Sequence, residues 1–218
     1  MLENETFNRL GTNHKISASI YNLILGAVLL WGFFVNWYLV ITVPPDIVRS
    51  IPMMLFLVGY LITALAGVAI IFKSEKPLYS FLGYNRIVIP VGLLLVIVLP
   101  KYSHENIVNA LQATVLLTVA MMLLGSVFPR FFKRIKASLC IALIAVIFVE
   151  LAQVWLFGIH LGVMDWITAL IFCGYIGVDW GRANQIERTV DNAIDSAASL
   201  YLDIINLFLR VLRIMSKK

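Results

Sequence analysis

Charge is scarce in this chain. Asp, Glu, Lys and Arg make up 13% of its 218 residues, and apolar types make up 61%. Soluble domains carry about a quarter and about a half, respectively. The polar surface left is too small to coat a water-soluble globule, and the long apolar runs exclude disorder. Cysteine is nearly absent. Cys140 and Cys173 both fall inside apolar runs, so no disulfide framework is expected and both read as small buried hydrophobes. The three histidines, His14, His104 and His160, stand in the tail or in loops without metal-ligand spacing. No His-Glu-x-x-His, Cys-x-x-Cys, Gly-x-Ser-x-Gly or phosphate-binding glycine loop occurs. A structural zinc and a serine hydrolase are therefore not expected. No catalytic residue is assigned, and the chain reads as a protein other than an enzyme.

What is present is hydrocarbon. Mean hydropathy is +0.93, which places the chain among integral membrane proteins. Six apolar runs are long enough to cross about 30 Å of hydrocarbon as helices. They run from about Ser17 to Val43, Ile51 to Phe72, Leu78 to Leu99, Ile107 to Phe128, Ala137 to Phe157 and Val163 to Trp180. They are continuous rather than alternating, which argues against strands. Pro90 inside the third predicts a kink. Gly177 and Gly181 flank Asp179 at the Gly-x-x-x-Gly spacing that lets helices approach closely. Gly158 and Gly162 share the spacing but read as part of a turn. Trp37, Tyr38, Tyr102, Trp166 and Trp180, near span ends, read as interfacial anchors.

A seventh segment, Asp191 to Met215, is less uniform. On a 100° helical wheel Asn192, Asp195, Ser199, Asn206, Arg210 and Arg213 fall within about 80° of Asp203 on one side. The remaining circumference is apolar. A helix lying on the membrane would carry a wide, Lys-rich polar face. A narrow seam with two acids and two arginines suits a buried span with the seam turned inward. The expected fold is thus an all-α membrane protein, a seven-transmembrane helix bundle. A tail over residues 1–16 precedes one helical domain over 17–215, and a short tail over 216–218 follows.

Basic residues set the orientation. Arg9, Lys15, Lys73, Lys76, the loop Arg130 to Lys136, Arg182 and Arg188 fall on one side, against Arg49 and Lys101 on the other. The formal charge of +5 therefore reads as a positive-inside pattern rather than a nucleic-acid surface. The expectation is a multi-pass protein of the cell membrane with its N-terminus in the cytoplasm, partnered by the bilayer and by no nucleic acid. Lys217 and Lys218 count the other way. A seventh segment that dips in and returns would leave them cytoplasmic.

Ionisable groups at bilayer depth are costly and are functional candidates by default. Here they are Glu150, Asp179 and Asp203. Asp203 is expected to pair with Asp179, an arginine or water. Glu150 has no identifiable partner and reads as structural. Two carboxyls on neighbouring helices resist double ionisation and titrate as a coupled pair. Such a pair can act as a pH switch. When ionised, it can also bind a divalent cation, with Asn206 and carbonyls adding hard oxygen ligands for calcium.

The segment from Ser199 to Arg213, reading SLYLDIINLFLRVLR, resembles the C-terminal signature of the Bax inhibitor-1 family, with Asp203, Asn206 and Arg213 matching position by position. Asp179 resembles the aspartate that ends that family's sixth span. Here Val178 precedes it where Tyr is usual, and Asn184-Gln185-Ile186 follows at a longer spacing. Specific motifs cover about Gly177 to Arg213. The resemblance implies six helices around a central seventh. It also implies a pH-sensitive calcium leak with Asp179 and Asp203 as gate and proton sensor, and calcium as permeant ion rather than cofactor. Members often carry acids in spans two and four. This chain has none in span two and Gln112 in span four, which leaves Arg213 short of one partner, with Glu150 as the other available acid. An intramembrane aspartyl protease is disfavoured because Gly-x-Gly-Asp and Pro-Ala-Leu are missing. A non-conducting regulator that binds other membrane proteins is the main alternative, and a coupled transporter a lesser one.

Overall fold

The computed structural model describes residues 15–158 and 161–216, with only the backbone of Phe157. Arg9, His14, His160, Lys217 and Lys218 lie outside the described residues, as does nearly all of the expected N-terminal tail. The described chain is helical: α1 (Ala18–Thr42), α2 (Pro45–Arg49), α3 (Met53–Lys73), α4 (Pro77–Val98), α5 (His104–Val127), α6 (Pro129–Ala152), α7 (Gly162–Ala183) and α8 (Val190–Met215). α1 and α3 to α7 are long and apolar enough to cross a membrane.

Local chemistry sets the boundaries. Ser17 caps α1 by accepting from the Ile20 amide, and Ser103 caps α5 by accepting from Asn106. Pro45, Pro77 and Pro129 stand at helix starts, where a missing N–H costs nothing. The start of α6 departs furthest from expectation. The basic stretch Arg130 to Lys136 is helical, not a loop, so α6 starts eight residues before the predicted span. Hydropathy marks where apolar side chains begin, whereas nothing in the basic stretch breaks a helix. α2, within the first loop, was likewise not expected. α6 ends in a π-helical turn over Gln153–Phe157, stopped by Gly158 at φ +63°, a left-handed conformation that favours glycine. Pro90 lies inside a continuous α4.

The chain divides into two compact units. The first holds the described part of Met1–Lys101 with Ile186–Ala198, and the second Tyr102–Gln185 with Ser199–Lys218. In the first, α4 supplies the core through Tyr84, Ile87, Val88 and Val91. α3 packs on it at Gly67 and Gly83, where a Cβ on Gly67 would lie 2.6 Å from the Gly83 carbonyl oxygen. In the second, α5 meets α7 at Gly125. A Cβ there would lie 2.5 Å from the Gly177 oxygen, and one on Gly181 would lie 3.1 Å from the Gly125 oxygen. Gly177 and Gly181 thus make the close approach their spacing predicts. Gly125→Ala forces the two backbones apart, and we expect about 1–3 kcal/mol of destabilisation, read as a lower Tm in detergent.

α8 differs from the other long helices. Apolar side chains on α1, α3, α5 and α6 are widely exposed, as lipid-facing surfaces are. No residue from Val190 to Ser216 is exposed.

Candidate functional site

The polar seam of α8 is held at three stations. The first lies in the first unit, where α8 begins. Thr189 Oγ1 accepts from the Asn192 amide, and Asn192 Nδ2 donates to the Glu187 carbonyl. Ser80 donates to Asp191 at 2.8 Å, and the Tyr21 hydroxyl lies 3.0 Å from Ser196 Oγ. Asp191 and Asp195 are both buried.

The second station lies in the second unit and contains the aspartates singled out by sequence. Asp179 near the end of α7 and Asp203 in α8 are both buried. Their carboxyl groups lie near enough to interact electrostatically. Among the described residues no amide, hydroxyl or guanidinium donates to Asp203 Oδ2. A carboxylate only accepts, so the two carboxyls can hydrogen-bond to each other only when one of them holds a proton. Arg182, one turn beyond Asp179, places Nη2 3.5 Å from Asp179 Oδ1 and donates to Ser199 Oγ at 3.0 Å. Tyr175 lies within electrostatic range of both aspartates, and Cys140, expected to be buried, is exposed whereas Cys173 is buried. Asn206 donates to the Leu202 carbonyl within its own helix.

The third station is an ionic cluster near the C-terminal end of α8. Arg210 grips both oxygens of Glu150 in a bidentate fork, with Nη2 2.9 Å from Oε2. Its Nη1 also donates to Asp165 Oδ1 at 3.2 Å, and Arg213 Nη1 donates to the same oxygen at 3.1 Å. The Asp165 side chain is 0% exposed. Two acids and two arginines balance, as burial demands.

One expectation is corrected in this cluster. Glu150 has a partner, Arg210, and Arg213 pairs with Asp165. Asp165 was not legible as a member because it sits in the first turn of α7, where an acid favours the helix dipole whatever else it touches. Arg182 was read as a loop charge. Its spacing three residues after Asp179 was the available signal. Tyr21 and Ser80 carry no signal, since one hydroxyl in an apolar run is ordinary.

Among the described residues no group of three or more His, Cys, Asp or Glu side chains could hold a metal ion. Asp179 and Asp203 alone offer a cation two carboxyls, fewer oxygens than the six to eight that calcium takes at a resident site.

Apolar helices with exposed hydrocarbon faces, and one polar-seamed helix without an exposed residue, define an all-helical membrane protein with a buried carboxyl pair. The family model described as Inhibitor of apoptosis-promoting Bax1 matches residues 13–218. The chain belongs to this family, the Bax inhibitor-1 family. Inner membrane protein YbhL of Escherichia coli K12 is 27% identical over 179 residues, 75% of each chain. An uncharacterized membrane protein of Streptococcus pyogenes serotype M3 is 27% identical over 133 residues, and the match spans 58% of each chain. A BI1-like protein of Arabidopsis thaliana is 53% identical over 49 residues, 22% of this chain and 18% of the relative.

Proposed function

We propose that this protein is a passive calcium leak of the cell membrane whose conductance follows the protonation of the Asp179–Asp203 pair. α8 is its seventh and central span, with the N-terminus cytoplasmic. The observation that carries this reading is the burial of two interacting carboxyls on neighbouring helices. While the pair holds a proton, the two carboxyls can hydrogen-bond and join α7 to α8. Loss of the proton as pH rises leaves two negative charges in contact, which repel. Arg182 offsets one of them. A pH change thereby becomes a force between two helices, the requirement for a proton-driven switch.

The polar seam supports the same reading. Side chains of Asp195, Ser199, Asp203 and Asn206 repeat along α8 and supply hard oxygens of the kind calcium prefers. Calcium is the cargo in this account, and no resident cofactor is invoked. Family membership is consistent with it.

The competing reading is a non-conducting regulator that acts on other membrane proteins through its helix faces. It is favoured by the lack of acids in α3 and by Gln112, exposed on α5. Calcium uptake by liposomes carrying the purified protein separates the two. The leak predicts uptake above that of empty liposomes, changing with pH across a scan from about pH 8 to pH 5, as a proton-sharing carboxyl pair requires. Uptake equal to empty liposomes at every pH would favour the regulator.

A further inference from the structure

The start of α6 carries a cluster of cations that the calcium reading does not use. Arg130, Lys133 and Arg134 are all exposed. Among the described residues none of the three has an ion pair or hydrogen bond. At about 100° per residue they share an arc of about 100°. Phe132, pointing the opposite way, is buried. The first turn contains no acid, and no side chain caps the helix, so the positive end of the helix dipole is not neutralised locally.

The same arc continues down the helix as hydrocarbon. Ile141, Ile144, Phe148 and Leu151 fall within it, and all are exposed, Ile141 and Phe148 by 70% and 67%. Arg134 and Ile141 are about 10 Å apart along the axis. Phe128 and Phe131, exposed beside the cations, suit the level where headgroups meet acyl chains. One helix face thus presents unpaired positive charge above a strip of exposed hydrocarbon. That is the complement of an amphiphile with an anionic head and an apolar tail.

We infer that Arg130, Lys133 and Arg134 form a binding site for the phosphodiester headgroup of an anionic phospholipid, whose acyl chains lie along Ile141, Ile144 and Phe148. Free inorganic phosphate would use the cations but gain nothing from the apolar strip. The other cationic corner, Lys73 and Lys76 between α3 and α4, includes Glu75 and is a poorer match.

The test uses the intact protein in detergent micelles containing equal amounts of phosphatidylglycerol and phosphatidylcholine, with retained lipid measured by mass spectrometry. Wild type retains phosphatidylglycerol in preference. In the triple variant R130Q/K133Q/R134Q that preference falls by at least tenfold, since each interfacial cation contributes about fivefold. R130K/R134K keeps it, and K73Q/K76Q leaves it unchanged. Added salt weakens it in the wild type, a readout independent of any variant. The inference is overturned if the triple variant keeps the preference, if K73Q/K76Q loses it, or if millimolar inorganic phosphate displaces the lipid completely.

Discussion

Asp165→Leu destabilises the protein by about 3–5 kcal/mol, the cost of stripping one partner from a buried ionic cluster. Asp165 has no solvent exposure and accepts from both Arg210 and Arg213. Without it, two guanidinium groups share one carboxylate, Glu150. Arg213, at 39% exposure, can turn partly to water, whereas Arg210, at 18%, cannot. Asp165→Asn keeps an acceptor oxygen and costs less. In Asp165→Asn with Arg213→Gln the cluster is balanced again, and part of the loss returns, because contacting residues do not add independently. Thermal unfolding of the four proteins in one detergent measures this. An unchanged Tm in Asp165→Leu would show that the cluster does not hold α7 to α8.

Arg182→Gln moves the pH profile of calcium uptake to higher pH by about one unit or more, the usual scale for losing an opposite charge beside a carboxyl. Arg182 is the cation 3.5 Å from Asp179, and it favours the ionised pair. Without it the proton is held to higher pH, and the hydrogen-bonded state persists further up the scale. Arg182→Lys preserves the charge and shifts the profile less. A profile that stays in place would mean that Arg182 serves only its hydrogen bond to Ser199.

The spans were legible because hydrocarbon thickness demands about 20 apolar residues and nothing soluble provides six such runs. The ends of the runs were less legible. Arg130 to Lys136 look like a loop on any hydropathy scale, yet nothing there breaks a helix, and Pro129 suits its first turn. The seam on α8 could be read from angular positions alone. Its partners could not be, since Glu150 and Arg210 are 60 positions apart and meet only through packing. That Asp203 would pair with Asp179, an arginine or water was an expectation from the residue pattern. Asp165 and Arg182 escaped because each has a sufficient local explanation, a first-turn acid in one case and a loop cation in the other.

The proton shared by Asp179 and Asp203 is the centre of the functional account, and Asp203→Asn tests it most directly. Asn donates to Asp179 at every pH, so the link between α7 and α8 no longer depends on a proton. Calcium uptake by liposomes from about pH 8 to 5 should change severalfold in the wild type and by less than about twofold in Asp203→Asn, one proton being able to drive at most about tenfold per pH unit. Uptake whose pH dependence is the same in both proteins would contradict the account.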